Sequence, residues 1–215
     1  MGTHIVKQGE HITRIAEKHG FSSYDLLWQR PENAQLKTLR RNPNVLAPGD
    51  EVFIPEREQR TETGPTEERH RFLAKRTPLK LRLKLIGFDG KPIASTPCTL
   101  EVEGDSKEKS TDTAGMIESP IGATDEAGRL TIRQPKQGAD VQLSLMIGHL
   151  NPVDLASGQQ ARLNNLGYFA GDIGGEVDQE LLKSAVEEFQ CDSGLTVDGV
   201  CGEKTRKKLT EVHGS

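Results

Sequence analysis

Few side chains in this 215-residue sequence could do covalent or metal chemistry. Its three cysteines, Cys98, Cys191 and Cys201, form no CxxC pair of the kind that holds zinc or cycles as a redox couple. The six histidines, His4, His11, His19, His70, His149 and His213, show neither HxH nor HxxxH spacing, so two imidazoles one helical turn apart, as in a zinc peptidase, are not offered. Cys98 and His149 are the one Cys–His combination in the middle of the chain, and Cys98 falls in a strand-like segment where a free thiol serves as a small apolar filler. Glycoside hydrolysis needs two carboxylates across a cleft. Glu101, Glu103, Glu118, Asp125 and Glu126 are available, but all lie in alternating strands or turns, where acids form the solvated face. We therefore expect no catalytic residue, metal or cofactor, and a protein that is not an enzyme.

The composition agrees with several small cores rather than one large one. Hydrophobic residues make up 33% of the chain and aromatics 4%, lean for a single catalytic core. No run approaches the roughly 20 apolar residues that a bilayer span needs. The 28 basic residues are offset by 32 acidic ones, for a net charge of -4, so no concentrated basic surface invites nucleic acid. Residues 151–215 hold 6 basic and 11 acidic side chains. Met1 to Glu10 has no basic stretch followed by an apolar run, which leads us to expect cytoplasmic synthesis and delivery to the periplasm or cell exterior by a specialised secretion route.

Periodicity divides the chain into an α+β multidomain protein: residues 1–55, a charged linker over 56–78, a small antiparallel β-sandwich over 79–150, and a helical bundle over 151–215. Within the linker, Glu67 to Lys75 is a candidate short helix. Leu79, Leu81, Leu83 and Leu85 alternate with Lys80, Arg82 and Lys84, the mark of a half-buried strand. Further strands are expected at Cys98–Glu103, Gly115–Ser119, Arg129–Arg133 and Val141–Ile147, and helices near 157–166, 177–190 and 203–212. In the first segment, HIVK and EVFI read as strands around a helix over His11–His19 and a second over Ser23–Gln29, a β-α-α-β unit.

HIVKQGEHITRIAEKHGFSSYDLL and NPNVLAPGDEVFIP together resemble a LysM domain over residues 3–55. The resemblance implies binding of N-acetylglucosamine-containing glycans such as peptidoglycan or chitin, in a shallow groove formed by Gly9, Glu10, His11 and Ile12 on one side and Asn44, Val45, Leu46 and Ala47 on the other. The inserted stretch QRPENAQLKTLRR departs from the family and either lengthens the second helix or adds a third. Trp28 is either a sugar-stacking platform or a core residue.

Gln160, Leu163, Leu166, Gly167 and Tyr168, then Phe189 and Gln190, then GLTVDGVCGEKT from Gly194 to Thr205, resemble the three-helix peptidoglycan-binding domain of cell-wall enzymes. The resemblance makes Tyr168, Asp198 and Gly199 candidate ligand contacts. Asp178 stands where the family usually has Thr. Cys191 and Cys201 fall within this one module, and parity leads us to expect a disulfide between them with Cys98 reduced; a loop of about ten residues would gain roughly 2.7 kcal/mol. The middle segment, with its DGKP turn and T-D-x-x-G-x-I run, resembles transthyretin-like spacer modules. Peptidoglycan-binding modules commonly accompany an enzyme, but Cys98 and His149 lack the His-Gly and Ser-x-Gly-Cys surroundings of the L,D-transpeptidase family. The expected function is non-catalytic cell-wall binding through two modules. The alternative is a structural or adaptor component of a contractile injection system, a type VI secretion spike or phage-like tail, with spike or tail proteins as partners.

Overall fold

In the computed structural model, which describes residues 2–57, 63–64, 66–69, 79–87, 89–133 and 139–215, buried apolar side chains gather in three separate clusters. The short helix expected over 67–75 falls largely outside the described residues. Among the described residues no helix is long and apolar enough to cross a membrane.

The first cluster is built by β1 (Gly2–Ile5), α1 (Ile12–Lys18), α2 (Asp25–Trp28), a 3-10 turn (Pro31–Asn33), α3 (Ala34–Arg40) and β2 (Glu51–Ile54). β1 and β2 pair antiparallel, Gly2 opposite Ile54 and Ile5 opposite Glu51. Ile12, Ile15 and Ala16 put one face of α1 into the core. The inserted stretch supplies a third helix rather than a longer second one, because Pro31 forces extended backbone on Arg30 and ends α2. Asn33, 1% exposed, pins the insertion in place. Its Nδ2 donates to the carbonyls of Leu27 at 2.9 Å and Phe53 at 3.1 Å, and its Oδ1 accepts from the Phe53 N–H at 2.8 Å. Trp28 is packed in this cluster, so it is core and not a platform.

The second cluster lies between a two-stranded sheet, β3 (Leu79–Lys84) with β6 (Met116–Ile121), and a four-stranded sheet of order β5-β4-β7-β8. These are Asp105–Ser110, Pro97–Val102, Ala127–Ile132 and Val141–Met146. Leu79, Leu81 and Leu83 of β3 turn inward while Lys80, Arg82 and Lys84 stay exposed. The other expected strands appear with ends shifted by no more than two residues. β5 was not expected, since DSKEKS has no apolar residue to mark a face. It forms because Glu103 and Gly104, both at positive φ (47° and 84°), make the two-residue turn that returns the chain along β4.

The third cluster joins α4 (Ala156–Asn165), α5 (Gln179–Asp192) and α6 (Glu203–His213) through Leu163, Leu182, Ala185, Val186, Phe189 and Leu209. Asp178 caps α5, its carboxylate accepting the N–H groups of Glu180 at 2.9 Å and Leu181 at 3.1 Å. Its departure from the family's Thr therefore keeps the capping chemistry.

Candidate functional site

The two expected loops of the N-terminal module do meet, the Ile12 N–H donating to the Pro43 carbonyl at 3.1 Å. Their side chains are turned inward, however. Gly9, Glu10, His11, Ile12, Val45, Leu46 and Ala47 are buried and only Asn44 is exposed. Ile12 and Leu46 belong to the apolar core, and Ala47 N–H donates to Asp50, whose carboxylate is clasped by Arg40 at 2.7 and 2.9 Å. Glu10 accepts from the Lys7 N–H at 3.0 Å and from Lys18 at 3.0 Å, and pairs with His4 Nε2 at 2.7 Å. Burial alone would raise its pKa, but these bonds outweigh burial and hold the carboxyl at about 2.

The rest of the chain covers the first loop. Gly9, at φ 83°, lies so close to His149 that a Cβ would stand 3.0 Å from its Nε2, and Gln8 donates to the His149 carbonyl at 3.3 Å. His11 caps α1, Nδ1 accepting from the Arg14 N–H at 3.4 Å. The residue is 4% exposed and its ring bonds the backbone of Ala123, yet burial, with Arg14 nearby, drives its pKa down to about 4. Arg14 pairs with Glu126, and Arg40 reaches Asp154 at 3.1 Å. The solvent-open groove implied by the LysM resemblance is thus replaced by a seam between modules. A cleft of about 250 Å3 opens instead on the other side of α1, lined by Thr13, Phe21, Tyr24, Ile121 and Thr124.

In the helical module the family's marked residues converge on one side chain that the sequence reading had not placed in the site, Gln190. It is 1% exposed. Its Oε1 accepts the N–H groups of Asp198 and Gly199, both at 3.0 Å, and its Nε2 donates to Asp198 Oδ1 at 2.8 Å, Val200 O at 3.0 Å and Thr205 Oγ1 at 3.0 Å. Asp198 and Gly199 are therefore braces of the α5–α6 loop. Gln160 and Asn164 fasten the α4–α5 loop in the same way, Gln160 through the Ala170 carbonyl at 3.0 Å and Asn164 through the Gly171 carbonyl at 2.7 Å. Tyr168 stacks edge-on against Phe189 with ring centroids 5.6 Å apart, and its hydroxyl donates to Asp192 at 3.0 Å. Burial and that carboxylate raise its pKa to about 12. From the two braced loops the apolar side chains of Phe169, Ile173, Val197 and Val200 project into solvent.

Four of the five carboxylates weighed for hydrolysis are engaged elsewhere, Glu126 with Arg14 as above. Glu118 pairs with Lys80 and Arg82, Glu103 accepts the N–H groups of Glu126 and Ala127, and Asp125 accepts that of Gly122. The expected Cys191–Cys201 disulfide is absent: all three thiols are free, Cys98 buried in the sandwich, Cys191 exposed and Cys201 half-buried. Cys201 packs against the helical core, whereas Cys191 is exposed near the end of α5. Burial raises the Cys201 thiol to about 11. Thiol titration is expected to find one reactive cysteine in the native protein and three after denaturation without reductant; a single free thiol after denaturation would restore the bridge.

Residues 159–209 match the family model described as "Putative peptidoglycan binding domain". The helical module is thus similar to a peptidoglycan-binding domain. The match runs from α4 into α6 and takes in Gln160, Tyr168, Gln190, Asp198, Gly199 and Thr205. It leaves the N-terminal and middle modules outside its span. No match emerges from comparison with curated proteins or with solved structures.

Proposed function

We propose that this protein binds peptidoglycan without cleaving it, and that the α4–α5 and α5–α6 loops of the helical module carry the contact. The supporting observation is the pair of braced loops: Phe169 and Val200, each 62% exposed, stand on backbone held by Gln160, Asn164 and Gln190. Apolar groups presented on ordered loops lose little entropy on binding. They suit the C–H faces and acetamido methyl of an amino sugar, or the alanyl methyls of a stem peptide. The LysM-like module, its first loop covered, acts as a support. Its place of work is the periplasm or cell exterior.

Co-sedimentation with purified sacculi tests the reading. Phe169→Ala and Val200→Asp are each expected to weaken retention by about tenfold, the effect of about 1.4 kcal/mol at a binding hot spot, with unchanged melting and no soluble muropeptide released by any form. Full retention of both variants would refute the assignment to these loops. Release of muropeptides would refute the non-catalytic reading.

A further inference from the structure

The two edges of the four-stranded sheet differ in chemistry. β5 carries Asp105, Lys107, Glu108 and Lys109, the kind of charged edge that blocks pairing with another chain. β8 reads VQLSLM and contains no charge, proline or glycine. It ends the sheet, paired with β7 on one side. Val141, Leu143 and Leu145 lie opposite Ile132, Leu130 and Gly128, and residues directly opposite share a face, so these three point to the same side as the fully buried Leu130. The two-stranded sheet leaves that side open here, with Val141 38% and Leu143 41% exposed.

The backbone direction is also set. Ile147 N–H donates to the Glu126 carbonyl at 2.8 Å, which turns the odd-numbered peptide groups of β8 toward β7. Gln142, Ser144 and Met146 then aim their N–H and C=O groups away from the sheet.

We infer that β8 is a self-pairing edge, through which two copies of this chain join antiparallel about a two-fold axis at Ser144. In that register Ser144 faces the partner's Ser144, Leu143 faces the partner's Leu145, Val141 faces the partner's Ile147, and Gln142 faces the partner's Met146. One face of the junction is then wholly apolar and the other neutral. A second copy is the occupant that fits: an isologous contact places each residue against its own neighbours, and an uncharged strand does so without bringing like charges together. The contact is one six-residue strand wide, small beside the roughly 1,000 Å2 of a stable interface, so the dimer is weak and concentration-dependent. This inference does not depend on peptidoglycan binding, although a dimer carrying two wall-binding modules would gain avidity.

Sedimentation equilibrium on the full chain, from micromolar to near-millimolar concentration, provides the test. The weight-average mass of the native sequence is expected to rise from 23.6 kDa toward twice that value and no further. Ser144→Pro removes an outward N–H without touching the β7 ladder, and Ser144→Lys places like charges at the axis; both are expected to hold the mass at the monomer value. Lys107→Ala on β5 is expected to leave the dimer unchanged. A native chain that stays monomeric throughout, a mass climbing past the dimer, or a Ser144→Lys variant that keeps its circular dichroism and dimerises as before would each overturn the inference. Should Ser144→Pro misfold, the lysine variant decides.

Discussion

Arg162→Ala is expected to melt the helical module more than 10 °C below the native protein and to abolish retention on sacculi under conditions where the native protein is held. Arg162 is 2% exposed. Nη1 donates to the carbonyls of Asn151 at 2.7 Å and Gly158 at 2.8 Å, and Nε donates to the Ser215 carbonyl at 3.1 Å, tying the connector before α4 to the chain beyond α6. Burial lowers its pKa to about 10, with Asp154 pulling the other way, so carbonyl dipoles provide most of its solvation. Alanine would strand those carbonyls and leave a cavity, together about 3–5 kcal/mol. A module of this size has little stability to spare, and each kcal/mol is worth about 4–8 °C. Lysine keeps the charge but cannot present the same fork to separate carbonyls, so Arg162→Lys should fall between. A drop of less than about 2 °C on alanine substitution, read by far-ultraviolet circular dichroism, would show that the bracket contributes little.

Acid is expected first to open the seam between the N-terminal and middle modules and then to loosen the N-terminal module itself, in two successive pH windows. His11 has its pKa lowered from 6.5 to about 4, so the fold favours the neutral ring. That contribution is fully present above pH 6.5 and disappears as the pH falls through 4, at a cost of about 3 kcal/mol. His213, lowered to about 4 by burial and by Arg162, adds a loss of the same sign in the helical module. Glu10, lowered from 4.5 to about 2, contributes above pH 4.5 and loses that contribution as the pH drops toward 2. Urea unfolding at stepped pH measures the slope. His11→Asn retains an N-cap acceptor while removing one of the two titrations, and is expected to lessen the dependence between pH 6.5 and 4, leaving the share due to His213, and to reduce exchange protection changes at residues 9–12. An unaltered slope in that variant would place the acid sensitivity elsewhere.

How far these sites could be read from the sequence depended on the range of the interactions that make them. Local periodicity and turn residues were enough for α4, α5 and α6 and for the alternation of β3. They also sufficed to divide the apolar residues among three cores, because each of these features is written within a few consecutive residues. The likeness of residues 159–209 to a peptidoglycan-binding domain was legible for the same reason, as a run of turn and helix markers in order. β5 was not legible. It contains no apolar residue, and its place in the sheet comes from backbone pairing alone.

The role of Gln190 was hidden because a buried amide looks like any surface glutamine until its partners, up to 15 residues away, are brought around it. Arg162 is the same case at a separation of 53 residues. The residues Gly9, Glu10, His11 and Ile12 form a local loop that the sequence specifies, but whether that loop meets solvent or His149 is a matter of how distant modules pack. Sequence alone therefore determined most of the helices and strands and the likeness of residues 159–209 to a peptidoglycan-binding domain. Only the tertiary structure decided which loops remain open to a ligand, since exposure and hydrogen-bond satisfaction are properties of residues far apart in the chain that become neighbours on folding.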